Sequence, residues 1–379
     1  MSRLGELIQQ LCPDGVGYKK VGAIAEVGTG SSNGNEASDD GQYPFFIRSQ
    51  TIKRKSDYEY DDEAIIIPGE GGIGEIFHYI NGKYALHQRV YRIHFLVNDV
   101  VTKFAYYYMQ AYFKPFILKK AVSATVTSIR KPMIEAFPIP LPPMEVQQEI
   151  VRSLDQFTEL TAELTAELTA RKKQYEYYRD KLLTRSQDAA WMMLGDIGNV
   201  CMCKRIMKAE TSSEGDVPFF KIGTFGKEPD AYISQEKFDE YRQKYSFPKK
   251  GEVLISAAGT IGRAVIYDGE PAYYQDSNIV WLSNDETKVL NKYLFYYYQL
   301  QPWAVSTGGT IARLYNDNIS RAKIAVPSLD EQRRIVSILD RFDVLCNDLT
   351  SGLPAEIKAR QKQYEYYRDK LLAFPQKDQ

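Results

Sequence analysis

The 379-residue sequence is poor in the side chains on which metal sites and disulfide frameworks depend. It has 4 cysteines and 3 histidines, and the close pair Cys201 and Cys203 has no second pair to complete a zinc-type ligand set. We therefore expect no metal site and no disulfide framework. Catalytic motifs are also missing: there is no Walker-type lysine loop, His-Glu-x-x-His motif, nucleophile elbow or Asn-Pro-Pro-Phe box. No catalytic residue is predicted, which argues against an enzyme.

Long apolar runs and an excess of one charge are absent as well. No run reaches the roughly 18 apolar residues of a membrane span, and the N-terminus leads into no apolar signal segment. We therefore expect a cytoplasmic protein with no membrane partner. The net charge of −1 argues weakly against a chain coated in nucleic acid. Basic residues are nevertheless clustered outside the helical segments, at 53–55, 130–131, 204–205 and 249–250, although a solvated surface is the favoured interpretation of each cluster.

What the sequence does contain is a tandem duplication. The eleven residues KQYEYYRDKLL occur at 173–183 and again, without a change, at 362–372. Matched residues also precede each copy, so the period is roughly 185–190 residues. The identical block suggests two equivalent docking places for one kind of partner, although recent gene duplication could also explain it. The remainder has diverged, which suggests two different targets.

The duplication predicts four segments: a strand-rich domain at 1–142, a helix at 143–186, a second strand-rich domain at 187–327 and a second helix at 328–379. Three matches indicate that the two domains share one fold. They pair Pro44-Phe45-Phe46 with Pro218-Phe219-Phe220, Ile73-Gly74 with Ile261-Gly262, and Tyr106-Tyr107-Tyr108 with Tyr296-Tyr297-Tyr298. We therefore predict an α+β fold with two homologous strand-rich domains.

Both helical segments carry a coiled-coil seam, because apolar residues recur at alternating spacings of 4 and 3. Two repeats in one chain predict a pseudo-twofold arrangement, in which the long helices form an antiparallel coiled coil. The seam from Phe342 to Arg360 is four residues longer than its counterpart from Phe157 to Arg171. Since Gly352 lies in this insertion, followed by a proline, we expect a local break there.

A four-residue repeat, Thr-Ala-Glu-Leu, occupies 161–164 and 165–168 within the first helix. It is either a helix-favouring filler or a spacer of variable copy number, and composition does not decide between them.

One motif suggests a nucleotide enzyme. Residues 69–74 fit G-x-G-x-x-G after an apolar run, but a dinucleotide site needs a helix that begins at the last glycine. The following residues are typical of a strand with an Asn81-Gly82 hairpin signal. A tight loop between strands is the favoured interpretation, and a dinucleotide site stays open as an alternative.

The domain–helix–domain–helix duplication resembles the specificity subunits of type I restriction–modification enzymes. The resemblance also rests on the proline-rich exits into 145–151 and 330–336, the two KQYEYYRDKLL blocks, the opening LCPDGV at 11–16 and the Thr-Ala-Glu-Leu repeat. It implies a non-catalytic subunit with two target-recognition domains, each for one half of a split site in double-stranded DNA. It also implies a helical spacer that docks two methyltransferase subunits and, in the full complex, restriction subunits. S-adenosylmethionine, ATP and Mg would then belong to the partner subunits, with no cofactor in this one.

Direct reading of bases uses Arg or Lys on guanine and Asn or Gln on adenine, from loops that fit the major groove. Candidates in the first domain are Arg48, Ser49, Gln50, Lys53, Arg54, Lys55, Thr127, Arg130 and Lys131. Candidates in the second are Lys221, Arg263, Thr310 and Arg313, and residues 308–313 align with 124–128 when both are counted back from the exits.

Within the identical block, Tyr175, Tyr178 and Leu182 lie on the predicted seam. The residues expected to point away from it, toward a partner, are Tyr177, Arg179 and Lys181, with Tyr366, Arg368 and Lys370 as their equivalents. The alternative function is a coiled-coil scaffold whose end domains bind proteins.

Overall fold

A computed structural model of the chain describes residues 3–120, 128–185, 189–305 and 312–377. The chain divides into two compact units. Unit 1 comprises Met1–Thr165 and Glu356–Gln379, and unit 2 comprises Ala166–Ala355. Each unit therefore contains one strand-rich part together with stretches from both predicted helical segments.

The strand-rich part of unit 1 is built around a six-stranded sheet of order β2-β7-β5-β6-β3-β4, with a separate antiparallel pair β1-β8. Its elements are α1 Arg3–Leu11, β1 Tyr18–Lys20, α2 Val21–Ile24, β2 Ala25–Thr29, β3 Tyr43–Phe46, β4 Lys53–Lys55, β5 Tyr60–Pro68, β6 His78–Leu86, β7 Val90–Phe95, α3 Thr102–Lys120, α4 Lys131–Glu135 and β8 Pro138–Pro140. They are followed by the long helix α5, Met144–Thr184.

The central strand β5 explains the apolar run at 64–67. Successive side chains of a strand point to opposite faces. Ile65 and Ile67 accordingly join the main core with Phe104 of α3, whereas Ala64 and Ile66 join a second cluster on the other face. Both faces of this mixed sheet are thus covered at its centre, so an uninterrupted run of apolar residues is needed there.

Unit 2 distributes its strands over sheets of order β10-β16-β13-β14, β12-β11-β15 and β17-β9. Its elements are β9 Ala190–Met193, β10 Asn199–Met202, β11 Val217–Phe220, β12 Tyr232–Ile233, α6 Gln235–Lys244, β13 Val253–Ser256, β14 Ala264–Ile266, β15 Tyr273–Tyr274, β16 Ile279–Ser283, α7 Asn291–Tyr298, α8 Asn316–Ser320, β17 Lys323–Val326 and α9 Leu329–Asn347. The last helix, α10, is Leu353–Leu371. Short 3-10 turns occupy Gly34–Glu36, Leu194–Asp196 and Lys208–Glu210.

The common fold of the two strand-rich parts is confirmed by their parallel strand pairs. Phe46 of β3 pairs with Leu86 of β6, and Phe220 of β11 pairs with Tyr274 of β15 in the same way. The two Pro-Phe-Phe sequences therefore occupy equivalent strands, as predicted.

The predicted match between the two tyrosine runs is wrong by one residue. In unit 1, Tyr107 donates a hydrogen bond to Asp155 of α5 at 2.5 Å, and Lys103 pairs with the same carboxylate. In unit 2, Tyr296 and Lys292 contact Asp340 of α9 in the same way. Tyr107 therefore corresponds to Tyr296. The shared carboxylate fixes the helix position, which a run of identical aromatic residues cannot do.

The seam residues meet within each unit. In unit 1, the ring of Phe157 stacks on Tyr367 of α10 with centroids 5.4 Å apart. In unit 2, Tyr178 stacks on Phe342 of α9 with ring centroids 6.0 Å apart. Further along α9, burial raises the pKa of the Cys346 thiol, and the charge of Lys172, six residues before Tyr178, opposes that rise. Residue numbers rise along α5 as they fall along its neighbour, which is the predicted antiparallel pairing.

The predicted break in the second helical segment is confirmed. Helix α9 ends at Asn347 and α10 begins at Leu353. The Asp348 carboxylate accepts hydrogen bonds from the backbone N–H groups of Thr350 and Ser351, which closes the turn. A Cβ atom on Gly352 would lie 2.3 Å from the carbonyl oxygen of Val344, so only glycine fits at this position.

The C-terminal segment completes unit 1. The N–H of Val16 donates to the carbonyl of Pro375 at 3.0 Å, and the N–H of Lys377 donates back to Val16 at 3.0 Å. Leu372 and Phe374 belong to the main core of this unit.

Candidate nucleic-acid interface

Each strand-rich part is fastened to the start of a helix by one buried glutamine. Gln147, at the beginning of α5, donates from Nε2 to the carbonyls of Asp99 and Pro142 at 2.8 Å each, and its Oε1 accepts from the N–H of Val101 at 2.8 Å. The side chain is fully buried. It satisfies three backbone groups where a loop and the proline-rich exit meet, so it orients the strand-rich part on the helix.

Gln332 makes the same set of bonds in unit 2. Its Nε2 donates to the carbonyls of Lys288 and Pro327 at 2.9 and 2.8 Å, and its Oε1 accepts from the N–H of Leu290 at 2.8 Å. Sequence reasoning missed both glutamines. The sequence did contain a signal for their shared role. Each glutamine occupies the same position after its proline-rich exit, three residues before an Ile-Val pair that occurs in both halves.

Loops gather at one edge of the large sheet in unit 1. The N–H of His87 donates to the carbonyl of Phe46 at 3.0 Å, that of Gly69 to Arg89 at 2.9 Å, and that of Ile129 to Gly69 at 2.7 Å. These bonds bring together the ends of β3 and β5, the turn between β6 and β7, and the residues before α4. Unit 2 repeats the arrangement, because Gln275 donates to Phe220 and Leu314 to Ala257.

The glycine motif at 69–74 forms a tight loop, as predicted, and the dinucleotide alternative is wrong. Gly71, Gly72 and Gly74 have φ angles of +74°, +74° and +65°, a region of backbone conformation that residues with side chains rarely adopt. The chain then enters strand β6 at His78, so no helix begins at the last glycine to receive a pyrophosphate.

A carboxylate joins two arginines on this loop edge. Glu70 accepts from Nη1 of Arg48 at 2.9 Å, and Nη1 of Arg89 donates to both Glu70 oxygens at 2.9 Å. Hydrogen bonds from Arg89 and then Arg48 hold the pKa of Glu70 below its usual value, so the bridge stays ionic. We call these three residues the Glu70 bridge. Arg48 and Glu70 of the bridge line a depression of about 300 Å³ together with Gly34, Ile47, Gly71 and His87.

Other predicted DNA contacts of unit 1 lie in different surroundings. The Ser49 hydroxyl accepts from the N–H of Thr51, while Gln50 and Lys53 are exposed. Arg54 donates to the carbonyls of Gly41 and Gln42, which ties down its guanidinium. The remaining three basic candidates comprise the exposed Arg130, Lys131, which pairs with Glu135 at 3.6 Å, and the buried Lys55, which pairs with Glu36 and Asp57. Thr127 lies outside the described residues.

In unit 2, Lys221 pairs with Asp230 and Arg205 with Asp276, each at 2.8 Å, around a depression of about 570 Å³. Arg205 was not among the candidates. Arg263 donates to the carbonyl of Phe225 at 2.7 Å, and Arg313 donates to the carbonyl of Ser277 at 2.8 Å. Both therefore support neighbouring loops. Thr310 lies outside the described residues.

The repeated helical block has the same geometry in its two copies. Tyr177 and Tyr366 are 60% and 61% exposed. Lys181 lies 5.7 Å over the ring of Tyr177, and Lys370 lies 5.9 Å over that of Tyr366. Each copy thus presents an aromatic ring beside a cation on its surface.

The expectation that both arginines of the block point away from the seam is wrong. The Arg179 guanidinium lies 5.7 Å over the seam residue Tyr175, and its side chain is 16% exposed. Arg368 lies 5.8 Å over Tyr364 in the same manner. A long side chain can fold back along its own helix to cover an aromatic ring, which heptad position alone does not reveal.

Comparison with known proteins assigns the duplication to a family. The family of the type I restriction modification DNA specificity domain matches residues 13–171 and, a second time, residues 188–359. The chain belongs to this family. Its membership confirms the prediction of a non-catalytic specificity subunit, and the double match confirms the predicted duplication.

Related proteins carry the same description. A putative type I restriction enzyme specificity subunit of Haemophilus influenzae is 48% identical over 358 residues, covering 88% of this chain and 89% of that protein. A type I restriction enzyme specificity subunit of Escherichia coli is 33% identical over 298 residues, covering 73% and 72%.

Solved structures share the fold. The type I restriction–modification S subunit from M. genitalium superposes with a TM-score of 0.60 at 15% identity, covering 94% of this chain and 96% of that one. A chain from a study of complex assembly and conformational transition of the type I system gives the same score, covering 95% and 98%.

Among the described residues, no helix is long and apolar enough to cross a membrane.

Proposed function

We propose that this chain is the DNA-recognition subunit of a type I restriction–modification complex, and that each strand-rich part reads one half of a bipartite site in double-stranded DNA. The observation that carries the proposal is the contrast between the two copies. The glutamine anchors and the helical blocks have the same geometry in both units, whereas the loop edges differ in chemistry.

That contrast predicts an asymmetric site. The residues of unit 2 equivalent to Arg48 and Glu70 are Ile222 and Ala258, as counted from the paired strands and the glycine loop. An apolar pair cannot make the charged contacts that the Glu70 bridge offers. Two loop edges of different chemistry recognise different base sequences, because base edges in the major groove are distinguished by their donors and acceptors.

The two helical blocks each dock one methyltransferase subunit. Tyrosine is enriched at protein interfaces, and here an exposed tyrosine beside a lysine occurs twice in one geometry. Two equivalent surfaces fit two copies of one partner. In this scheme S-adenosylmethionine, ATP and Mg are bound by the methyltransferase and restriction subunits, and none by this chain.

Exchange of residues 1–142 for the first domain of another family member tests the proposal. The chimera is expressed with its methyltransferase, and the methylated motif is read by sequencing the host genome for modified bases. We expect one half of the motif to change while the other half stays the same. The reciprocal exchange of residues 187–327 is the matched control, and it should change the other half alone. A change in both halves, or in neither, would show that the two parts do not act separately.

A further inference from the structure

We propose that the Glu70 bridge is a guanine-reading element of the half-site bound by unit 1, in which Arg48 and Arg89 each contact the edge of a guanine and Glu70 positions both arginines. The inference rests on the proposed function of unit 1 in DNA recognition. It adds the base class and the residues, two of which the sequence did not indicate.

The geometry leaves the reading edges of both arginines open. Glu70 takes only Nη1 of each guanidinium. Within the part of the chain that the structure describes, Nε and Nη2 of Arg48 and Arg89 have no hydrogen-bond partner, and the two side chains are 45% and 56% exposed. The Nε–Nη2 edge is a planar fork of two donors. Guanine presents O6 and N7 as two acceptors on its major-groove edge, which such a fork matches.

Backbone hydrogen bonds fix the loops that carry the bridge. The carbonyl of Arg89 accepts a hydrogen bond from the N–H of Gly69, and the N–H of Arg89 donates to Nδ1 of His87 at 3.0 Å. Gly71 follows Glu70 in a conformation that favours glycine, and a Cβ atom there would lie 3.3 Å from the carbonyl of Arg48. Burial lowers the pKa of His87, which favours the neutral ring that accepts this bond. Forks fixed in this way lose little freedom on binding, which favours a directional contact.

The carboxylate favours a base over a phosphate. Glu70 is ionised and lies within hydrogen-bond distance of both guanidinium groups, so a phosphate placed against the same arginines would be repelled by it. A guanine edge is neutral and meets no such repulsion. Two free arginines would be the better phosphate site, and the acid between them therefore points to base reading.

Substitution with the full complex of the chain and its methyltransferase tests the inference. The variants are Arg48→Ala, Arg89→Ala, Arg89→Lys and Glu70→Gln, and the readout is the base composition of each position in the methylated motif. We expect Arg48→Ala and Arg89→Ala each to lower the preference for guanine at one position, a different position for each arginine, by about 5- to 150-fold. Arg89→Lys keeps the charge but loses the fork, so it should relax the position that Arg89→Ala relaxes. Glu70→Gln should relax both positions less, because both forks remain and only the carboxylate that positions them is lost.

Asp99→Asn is the matched control for Glu70→Gln. It removes one carboxylate charge from an exposed ion pair, Lys19 with Asp99 at 3.0 Å, and should leave the motif unchanged. Circular dichroism of each variant checks that the fold is retained.

Two other outcomes overturn the inference. If Arg48→Ala and Arg89→Ala lower methylation equally at all sites, while Arg89→Lys keeps the wild-type rate and Glu70→Gln is more active, the bridge contacts phosphate. If the motif and the rate stay unchanged, the bridge does not contact DNA. A loss of guanine preference in the half-site that changes when residues 187–327 are exchanged would instead contradict the assignment of half-sites in the proposed function.

Discussion

Gln147 and Gln332 make the same set of hydrogen bonds in their separate units. Each buried side chain donates to two backbone carbonyls and accepts a hydrogen bond from one backbone N–H near the start of a helix. The loops that approach these glutamines have diverged in sequence. The chain has thus kept the connection between the strand-rich part and the helix while the sequence of the connected loops changed.

Gln147→Ala should destabilise unit 1. The substitution leaves buried backbone groups without partners, each of which costs about 1–3 kcal/mol, so we expect a loss of at least about 2 kcal/mol in the free energy of unfolding. Urea unfolding measures it, with the two units followed as separate transitions. The exposed neighbour supplies the control, because Gln148→Ala should leave the transition in place. Equal effects of the two variants would contradict the anchoring role.

The stability of unit 2 should depend on pH through Glu252. This side chain is buried, Oε2 accepts from the N–H of Lys249 at 2.7 Å, and Oε1 has no partner among the described residues. Burial raises the pKa of Glu252 above its usual value near 4.5. A carboxyl with a higher pKa in the folded state keeps its proton up to a higher pH than the same carboxyl in the unfolded chain.

The free energy of unfolding of unit 2 should therefore fall as pH rises above about 4.5, and level off once the buried carboxyl has ionised. Glu252→Gln should flatten that fall, as measured by urea unfolding between pH 4.5 and 8. The exposed Glu270→Gln is the control and should keep the wild-type profile. A Glu252→Gln variant that keeps the full slope would assign it to other groups.

The two helical blocks should each hold one methyltransferase subunit. Combining Tyr177→Ala with Lys181→Glu removes the exposed ring and reverses the adjacent charge of one block, so this variant should assemble with one methyltransferase instead of two. The same changes at Tyr366 and Lys370 should do likewise, and all four together should prevent assembly. Native mass spectrometry gives the stoichiometry.

Lys358→Glu, an exposed position on α10 four residues before the second block, serves as the charge-reversal control and should assemble normally. The arginines of the block are left intact because they cover seam tyrosines. Loss of helical circular dichroism in step with loss of assembly would indicate unfolding and count against a docking role.

The Thr-Ala-Glu-Leu repeat should set the gap between the half-sites. The hydroxyls of Thr161 and Thr165 donate to the carbonyls four residues back, and no residue of the repeat is buried, so an added copy should continue the helix. Four residues lengthen it by about 6 Å. At about 3.4 Å per base pair, the gap should grow by roughly one to two base pairs with both half-sites unchanged. Deletion of 165–168 should shorten it, and an unchanged gap in active variants would exclude a spacer role.

Much of the fold was accessible from the sequence because the duplication supplied internal comparisons. The seam, the break at Gly352 and the glycine loop all depend on short-range spacing or on steric limits of single residues. The offset of the tyrosine runs could not be foreseen, since three identical rings in a row fit a helix in more than one position. It took the partners of Tyr107 and Tyr296 on other helices to settle it.

The loop edge was less predictable. Arg48 stood out as a base-reading side chain, but Glu70 and Arg89 lie 22 and 41 residues away from it and follow different strands. Their meeting depends on sheet order, which no local pattern encodes. The basic run at 53–55 shows the converse, since composition indicated a surface for DNA whereas Lys55 is buried between two acids.

The contact between the backbones of Val16 and Pro375 has a consequence for how the protein is made. Unit 1 needs the residues from Glu356 onward, and these leave the ribosome after every residue of unit 2. Until they arrive, Phe157 lacks its stacking partner Tyr367, and the core lacks Leu372 and Phe374. The part that is translated first is therefore the last to finish folding, and a ribosome that stops before Glu356 releases a chain in which unit 2 is complete and unit 1 is not.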